Sequence, residues 1–175
     1  MNRTVGLDLL YSEKQIADEV RRLAGEITLT YNDSGEELVV AVVLKGAFFF
    51  ASDLARQIKL PILVDFVKLS SYNGMNTTGR ITMTKDMETP LAGKNVIILD
   101  DIIDTGISLE FLRDRLIERN PKSLKICTLI DKSGKRQRDV TADFVGFHCS
   151  GGFLVGYGLD LDEKFRELPA IYMLR

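Results

Sequence analysis

The chain predicts an α/β fold in which a central, mainly parallel sheet is flanked by helices, and three observations carry that prediction. The segments L-V-V-A-V-V-L at 38–44 and V-I-I-L at 96–99 are apolar without alternation, the pattern of strands covered on both faces. Helical periodicity falls between such runs, so strands and helices alternate along the chain. The run D-D-I-I-D-T-G-I-S at 100–108 then places carboxylates and a glycine turn at the carboxyl end of a buried strand, where open parallel sheets bind ligands.

Taken in order, Ser12 with Gln15 three residues later forms a capping-box signature, and Ile16, Val20, Leu23 and Ile27 recur at helical spacing, predicting a helix over 13–29. The β-branched run 38–44 is a buried strand ended by Lys45-Gly46. Phe48, Phe49, Leu54, Ala55 and Ile58 give a helix over 47–58, and Pro61 breaks the chain before a strand at 62–69. The polar, glycine-punctuated stretch S-S-Y-N-G-M-N-T-T-G at 70–79 has no periodicity and reads as a loop of lid type. A flanking strand follows at 81–84 and the central strand at 96–100. Leu109, Leu112, Leu116 and Ile117 mark a helix that Asn120-Pro121 stops. Another buried strand covers 124–131, and shorter strand-like pieces lie at 144–147, 153–157 and 171–174.

Bulk properties narrow the function classes. The 175 residues, 45% hydrophobic, suit one ordinary domain. With 23 basic against 25 acidic residues the net charge is -2, so no overall positive field recommends nucleic acid or an anionic membrane as partner. The two cysteines, Cys127 and Cys149, make no disulfide framework, and a reduced, cytoplasmic setting fits best. The N-terminal apolar patch is too short for a signal peptide, and no run reaches the roughly 18 residues of a membrane helix.

A strand ending in paired aspartates has three readings. A nucleotide triphosphatase would use the pair for magnesium, but G-x-x-x-x-G-K-[ST] is absent. A phosphoryl-accepting receiver would carry its acidic pair near the start of its domain, whereas here much of the domain lies upstream. The third reading is a site for a phosphorylated sugar: carboxylates accept hydrogen bonds from hydroxyls, while backbone N–H groups at a helix N-terminus cradle a phosphate.

Beside V-I-I-L-D-D-I-I-D-T-G, the segments V-V-L-K-G-A-F-F-F, D-F-V-K-L-S-S-Y, I-C-T-L-I-D-K, D-F-V-G-F, F-L-V-G-Y-G-L-D and F-R-E-L-P together resemble a known family, the 6-oxopurine (hypoxanthine-guanine) phosphoribosyltransferases of the short bacterial type. The likeness covers nearly the whole chain. The central motif alone marks a binder of phosphoribosyl pyrophosphate, and the segments after Ile126 point to 6-oxopurines.

The resemblance implies a type I phosphoribosyltransferase fold, with residues 1–175 as a single domain and a small hood built from its N-terminal and C-terminal segments. It implies Mg2+-dependent transfer of ribose 5-phosphate from phosphoribosyl pyrophosphate to purine N9, giving IMP or GMP and releasing pyrophosphate with inversion at the anomeric carbon. Asp100 and Asp101 then match the pair that holds the ribose hydroxyls and supports magnesium, and Asp160 matches a further magnesium ligand near the base. Asp104 matches the proton acceptor near purine N7. Thr105, Gly106, Ile107 and Ser108 match the 5-phosphate loop. Lys45 and Gly46 match the pyrophosphate loop, where the family carries a non-proline cis peptide.

Lys132 matches the donor to the exocyclic O6, which selects against adenine. Arg136 and Arg166 match pyrophosphate-side cations. Phe153 matches the ring that stacks on the purine, and the backbone of Leu154 matches the group that reads its edge. Ser71 and Tyr72 match the loop that closes over the reacting centre. Lys68 matches a subunit-contact position, and the family forms homodimers or homotetramers.

The chain departs from the family's habit in three places. Asp100 stands where glutamate is common, one methylene shorter. H-C-S-G-G at 148–152 replaces an isoleucine-proline turn, which predicts a more flexible hood and an altered base affinity. Leu161 stands where tyrosine is frequent, and His148, the only histidine, reads as a local structural residue. Two other functions fit the same segments: a nucleotide-sensing regulator that binds RNA or DNA, and a transferase preferring xanthine or a pyrimidine. Retention of Asp104, Lys132 and Asp160 favours catalysis.

Overall fold

A computed structural model describes residues 6–71 and 81–175, so Tyr72 and most of the expected lid lie outside the described residues. The first strand, β1 (Leu7–Tyr11), leads into α1 (Glu13–Tyr31) through the expected capping box: Ser12 Oγ accepts the Gln15 N–H, and Gln15 Oε1 accepts the Ser12 N–H at 2.9 Å. Ile16, Val20, Leu23, Ala24 and Ile27 form its buried face, and the helix runs past the expected end at residue 29 because Tyr31 continues that face. Then follow β2 (Leu38–Leu44), α2 (Phe48–Gln57), β3 (Ile62–Ser71), β4 (Ile81–Lys85) and β5 (Asn95–Ile103). The chain continues through α3 (Ile107–Ile117), β6 (Ser123–Lys132), a short 3-10 turn (Ser133–Lys135), β7 (Phe144–Cys149), β8 (Leu154–Val155) and β9 (Ile171–Leu174).

Six strands form one sheet in the order β4-β3-β2-β5-β6-β7, parallel throughout except for β4, which pairs antiparallel to β3. Leu38, Val40, Val42, Ile97 and Leu99 point to the side covered by α1 and α2, and Val39, Ala41, Val96 and Ile98 point to the side that holds Leu109, Leu112 and Leu116 of α3. Both faces are therefore dry, which is why these strands read as unbroken apolar runs. Each fully buried aliphatic side chain contributes about 1.5–3 kcal/mol, so the two covered faces of β2 and β5 stabilise the fold substantially.

The second sheet, in the order β1-β9-β8, is antiparallel and joins the two ends of the chain, with Leu7 opposite Leu174 and Leu154 opposite Met173. No local pattern announces β1, because L-D-L-L-Y is only partly buried and its partner comes from the far end of the chain. The expected strand at 153–157 contracts to two residues: Gly156, Tyr157 and Gly158 take φ of 98°, 50° and 102°, torsions that no extended strand can hold. Among the described residues, no helix is long and apolar enough to cross a membrane.

Candidate active site

The paired aspartates lie inside β5 rather than in a turn after it, because the strand keeps its ladder with β6 as far as Ile103. Ile102 packs with the core of α1 and α2, and Ile103 with that of α3, the reverse of the alternation set by Val96 to Leu99. The phase slips at the aspartates, so both carboxylates line one cleft instead of pointing to opposite faces. This cleft, about 280 Å³, is walled by Leu44, Leu69, Asp100, Asp101, Asp104 and the Thr105–Gly106–Ser108 turn. Asp100 Oδ1 accepts the Asp101 N–H at 3.1 Å. Burial, and then the neighbouring Asp101 charge, push the Asp100 carboxyl well above its ordinary value; burial raises Asp101 as well. Two adjoining carboxylates with no ion pair among the described residues are hard oxygen donors suited to a divalent cation.

Asp104 closes the cleft on the side of β6. Its Oδ2 is 3.4 Å from Lys132 Nζ, and Lys132 is buried at the end of β6. Its Oδ1 is buried with no partner among the described residues, an acceptor left open to a proton donor. Past Asp104, Gly106 caps α3 with φ 81° and offers no side chain of its own; Thr105 Oγ1 accepts the Ile107 N–H at 3.4 Å, the long end of a hydrogen bond. The N–H groups of the helix's first turn, together with the hydroxyls of Thr105 and Ser108, are donors suited to cradling an anion. Gln137 and Arg138 N–H donate to the Thr105 carbonyl at 2.9 and 3.2 Å, holding the cradle from behind.

Arg136, expected on the pyrophosphate side, has its guanidinium committed elsewhere. It donates to the Asp131 carboxylate, the Val140 carbonyl and, at 3.3 Å, the Asp104 carbonyl. Its place in this structure is a brace between the end of β6 and the backbone of Asp104.

On the other flank, the Leu44–Lys45 peptide is cis and Gly46 packs directly on Asp101. A β-carbon on Gly46 would lie 1.9 Å from Asp101 Oδ2, and one on Gly158 would lie 2.0 Å from the Gly46 carbonyl oxygen. The 156–158 turn thus meets the backbone of the 45–46 loop, and that loop in turn meets the Asp101 side chain of β5. Tyr157 anchors that turn, donating to Asp53 Oδ2 of α2 at 2.7 Å; burial and this carboxylate raise its phenol pKa.

Next to it, Arg166 donates to the Gly158 carbonyl at 2.6 Å and pairs with Asp160 at 2.8 Å and Glu163 at 3.1 Å, while Lys45 Nζ is 3.0 Å from Glu163. Asp160 Oδ2 also accepts the Glu163 N–H at 2.9 Å. Among the described residues no three histidine, cysteine, aspartate or glutamate side chains gather as a ready-made metal cage, so Asp160 does not join the β5 pair.

Phe153 precedes β8 and is 51% exposed, whereas Leu154 is buried within the second sheet. Gly152 takes φ 89° with Met173 packed where its β-carbon would be, so this glycine of the 148–152 segment is held by packing rather than left free. Ser71 ends β3. Sequence reasoning missed Gly158, Tyr157, Asp53 and Glu163. The closely spaced glycines of V-G-Y-G offered the only signal for the turn, and nothing local linked Glu163 to Lys45.

Comparison with known proteins places the chain in a family. Residues 6–162 match the model of the phosphoribosyl transferase domain. The chain is 42% identical to the hypoxanthine phosphoribosyltransferase of Salmonella typhimurium over 98% of its own length and 96% of the relative's. It is 40% identical to the hypoxanthine-guanine-xanthine phosphoribosyltransferase of Tritrichomonas foetus, over 95% and 91% respectively. A crystal structure of a hypoxanthine-guanine phosphoribosyltransferase from Bacillus anthracis superposes with a TM-score of 0.89 at 44% identity, covering 98% of this chain and 99% of that one. A strand-end carboxylate pair, an anion cradle and these likenesses lead to one assignment: the chain belongs to the phosphoribosyl transferase family, among its hypoxanthine and hypoxanthine-guanine members.

Proposed function

We propose that the protein is a purine-salvage enzyme that transfers ribose 5-phosphate from phosphoribosyl pyrophosphate to N9 of hypoxanthine or guanine, releasing pyrophosphate. The observation that carries this reading is the joining, in one cleft, of the carboxylate pair Asp100–Asp101, the α3 cradle and Asp104, with Lys132 Nζ 3.4 Å from the Asp104 carboxylate. The cradle at Thr105, Gly106, Ile107 and Ser108 takes the 5-phosphate, and Asp100 and Asp101 take the ribose hydroxyls. Lys132 donates to O6, and Asp104, already beside that ammonium, accepts the ring proton as N9 bonds to the anomeric carbon. An exocyclic amine in place of O6 would set donor against donor, which disfavours adenine.

Asp100 and Asp101 would also hold magnesium, which when bound neutralises charge growing on the departing pyrophosphate. Lys45 and Arg166 supply the fixed cations on that side, and Asp160 becomes free to act as a ligand when Arg166 turns to a phosphate. Arg136 braces the Asp104 backbone. Phe153, exposed beside the second sheet, provides a face for the purine, with the Leu154 backbone at its edge. Ser71 and Tyr72 begin the segment that shields the reacting centre.

An ultraviolet assay of each purine with phosphoribosyl pyrophosphate and magnesium tests the proposal. Mononucleotide should form from hypoxanthine and guanine, and Asp104→Asn should slow turnover about 10²–10⁴-fold. No product from any 6-oxopurine would overturn the reading.

A further inference from the structure

The two cations assigned to the pyrophosphate side share one internal counter-anion. Glu163 bridges them, with Oε1 at 3.0 Å from Lys45 Nζ and Oε2 at 3.1 Å from Arg166. Its side chain is 62% exposed, so it is not a core group that must find a partner, and its backbone takes φ 63°, in the left-handed region. The adjacent Asp162 (φ 51°) and Phe165 (φ 75°) share that region, so the 162–165 turn that carries the carboxylate is held in an uncommon backbone conformation. The backbone of this turn is tied in place: Leu161 and Lys164 exchange N–H···O bonds at 3.1 and 3.0 Å, and Asp160 accepts the Glu163 N–H. Arg166 meanwhile keeps its Nε buried with no acceptor among the described residues. Lys45, and then Arg166, hold the Glu163 carboxyl below its ordinary value, so it is ionised wherever the enzyme would work.

We infer that Glu163 is a built-in stand-in for the pyrophosphate: its carboxylate occupies Lys45 and Arg166 in the empty enzyme and competes with the diphosphate group for them. The inference rests on the reading of Lys45 and Arg166 as pyrophosphate-side cations. Its physical consequence is a moderated affinity. Each diphosphate that enters must displace an internal anion, and each pyrophosphate that leaves is replaced by one, so the cations are never left bare and the product is not trapped. Glu163 and Lys45 are largely exposed and only Arg166, 21% exposed, is mostly covered; pairs with an exposed partner are worth little individually, so the competition is a matter of several-fold rather than orders of magnitude.

The test measures inhibition by pyrophosphate and the KM values for phosphoribosyl pyrophosphate and hypoxanthine in wild type, Glu163→Gln, Glu163→Asp, Lys45→Ala and the Lys45→Ala/Glu163→Gln double variant, at low and high salt. In Glu163→Gln the pyrophosphate inhibition constant and the KM for phosphoribosyl pyrophosphate should both fall about 2- to 5-fold, more at low salt than at high salt, while the KM for hypoxanthine stays unchanged. Glu163→Asp, which keeps the charge, should return toward wild type. In the Lys45→Ala background the effect of Glu163→Gln should shrink, because one of the two contested cations is gone.

If Glu163→Gln leaves pyrophosphate binding unchanged or weakens it, Glu163 does not compete and the inference fails. Lys45→Ala alone separates the two levels. Weaker pyrophosphate binding in that variant upholds the reading of the site, whereas unchanged binding removes Lys45 from it and takes the inference with it. Thermal melts of all the variants check that the exposed substitution leaves the fold intact.

Discussion

A β-carbon on Gly46 would lie 1.9 Å from Asp101 Oδ2 and 2.6 Å from its Cγ, a distance at which either the 45–46 loop or the carboxylate must move. Gly158 repeats the constraint one layer out, with φ 102° and the Gly46 carbonyl oxygen 2.0 Å from its would-be β-carbon. Neither glycine serves a turn alone: Gly46 lets backbone come up against the Asp101 carboxylate, and Gly158 lets backbone come up against Gly46. Gly46→Ala should therefore lower kcat/KM by about 100-fold, the scale of a 1 Å misplacement at a reacting centre, with a much smaller change in melting temperature. Steady-state kinetics beside a thermal melt would decide it, and near-wild-type activity would show that the loop can yield. Lys45-Gly46 was legible in the sequence as a strand end. That Gly46 faces Asp101 was not, because the two are joined only through the parallel pairing of β2 with β5.

At the scale of elements, the exposed end of β3 and the segment after β4 are locked by one buried acid. Asp65 Oδ1 accepts the Phe66 N–H at 2.7 Å, and Oδ2 accepts those of Glu88 and Thr89 at 2.8 and 2.7 Å. Burial alone would raise its carboxyl, but the bonds from Thr89, Phe66 and Glu88 outweigh it and hold the group below its ordinary value. Because the folded value lies below the unfolded one, about 3.9, its stabilisation is fully present above that pH and fades as pH falls through the folded value. Asp65→Asn should thus cost about 1–3 kcal/mol at pH 7, and the difference should narrow in acid. Urea denaturation at pH 7 and at about pH 3 measures both, and a gap that is constant with pH would rule out the carboxylate's charge as the cause. The capping box of α1, by contrast, was legible from Ser12 and Gln15 alone, since capping depends on residues three apart.

Across the whole molecule, the two sheets are coupled by aromatic contact. The Tyr11 ring of β1 stacks on Phe147 of β7 with centroids 4.0 Å apart and planes at 16°, and the Tyr11 hydroxyl donates to the His148 carbonyl at 3.1 Å. The second sheet carries Phe153 and Leu154 on its β8 side, so this junction sets where the proposed purine platform stands relative to β6 and Lys132. Tyr11→Ala should cost about 1–3 kcal/mol in stability and raise the KM for hypoxanthine more than that for phosphoribosyl pyrophosphate. Equal changes in the two constants would show that the second sheet does not position the base.

The layered α/β class, nearly every strand of the large sheet and the residues of the central motif were legible in the amino-acid order, because burial on two faces and helical periodicity are written in local composition. So was the family, through segments spread over the chain. Folding alone revealed that the aspartates belong to the strand, that Arg136 braces the Asp104 backbone, and that Glu163 bridges Lys45 and Arg166. Those outcomes depend on approaches between distant segments: β5 with β6, the 156–158 turn with the 45–46 loop, and Glu163 with Lys45. Long-range register and close backbone approach leave no periodic trace in a single chain, so they became visible only when the chain was folded.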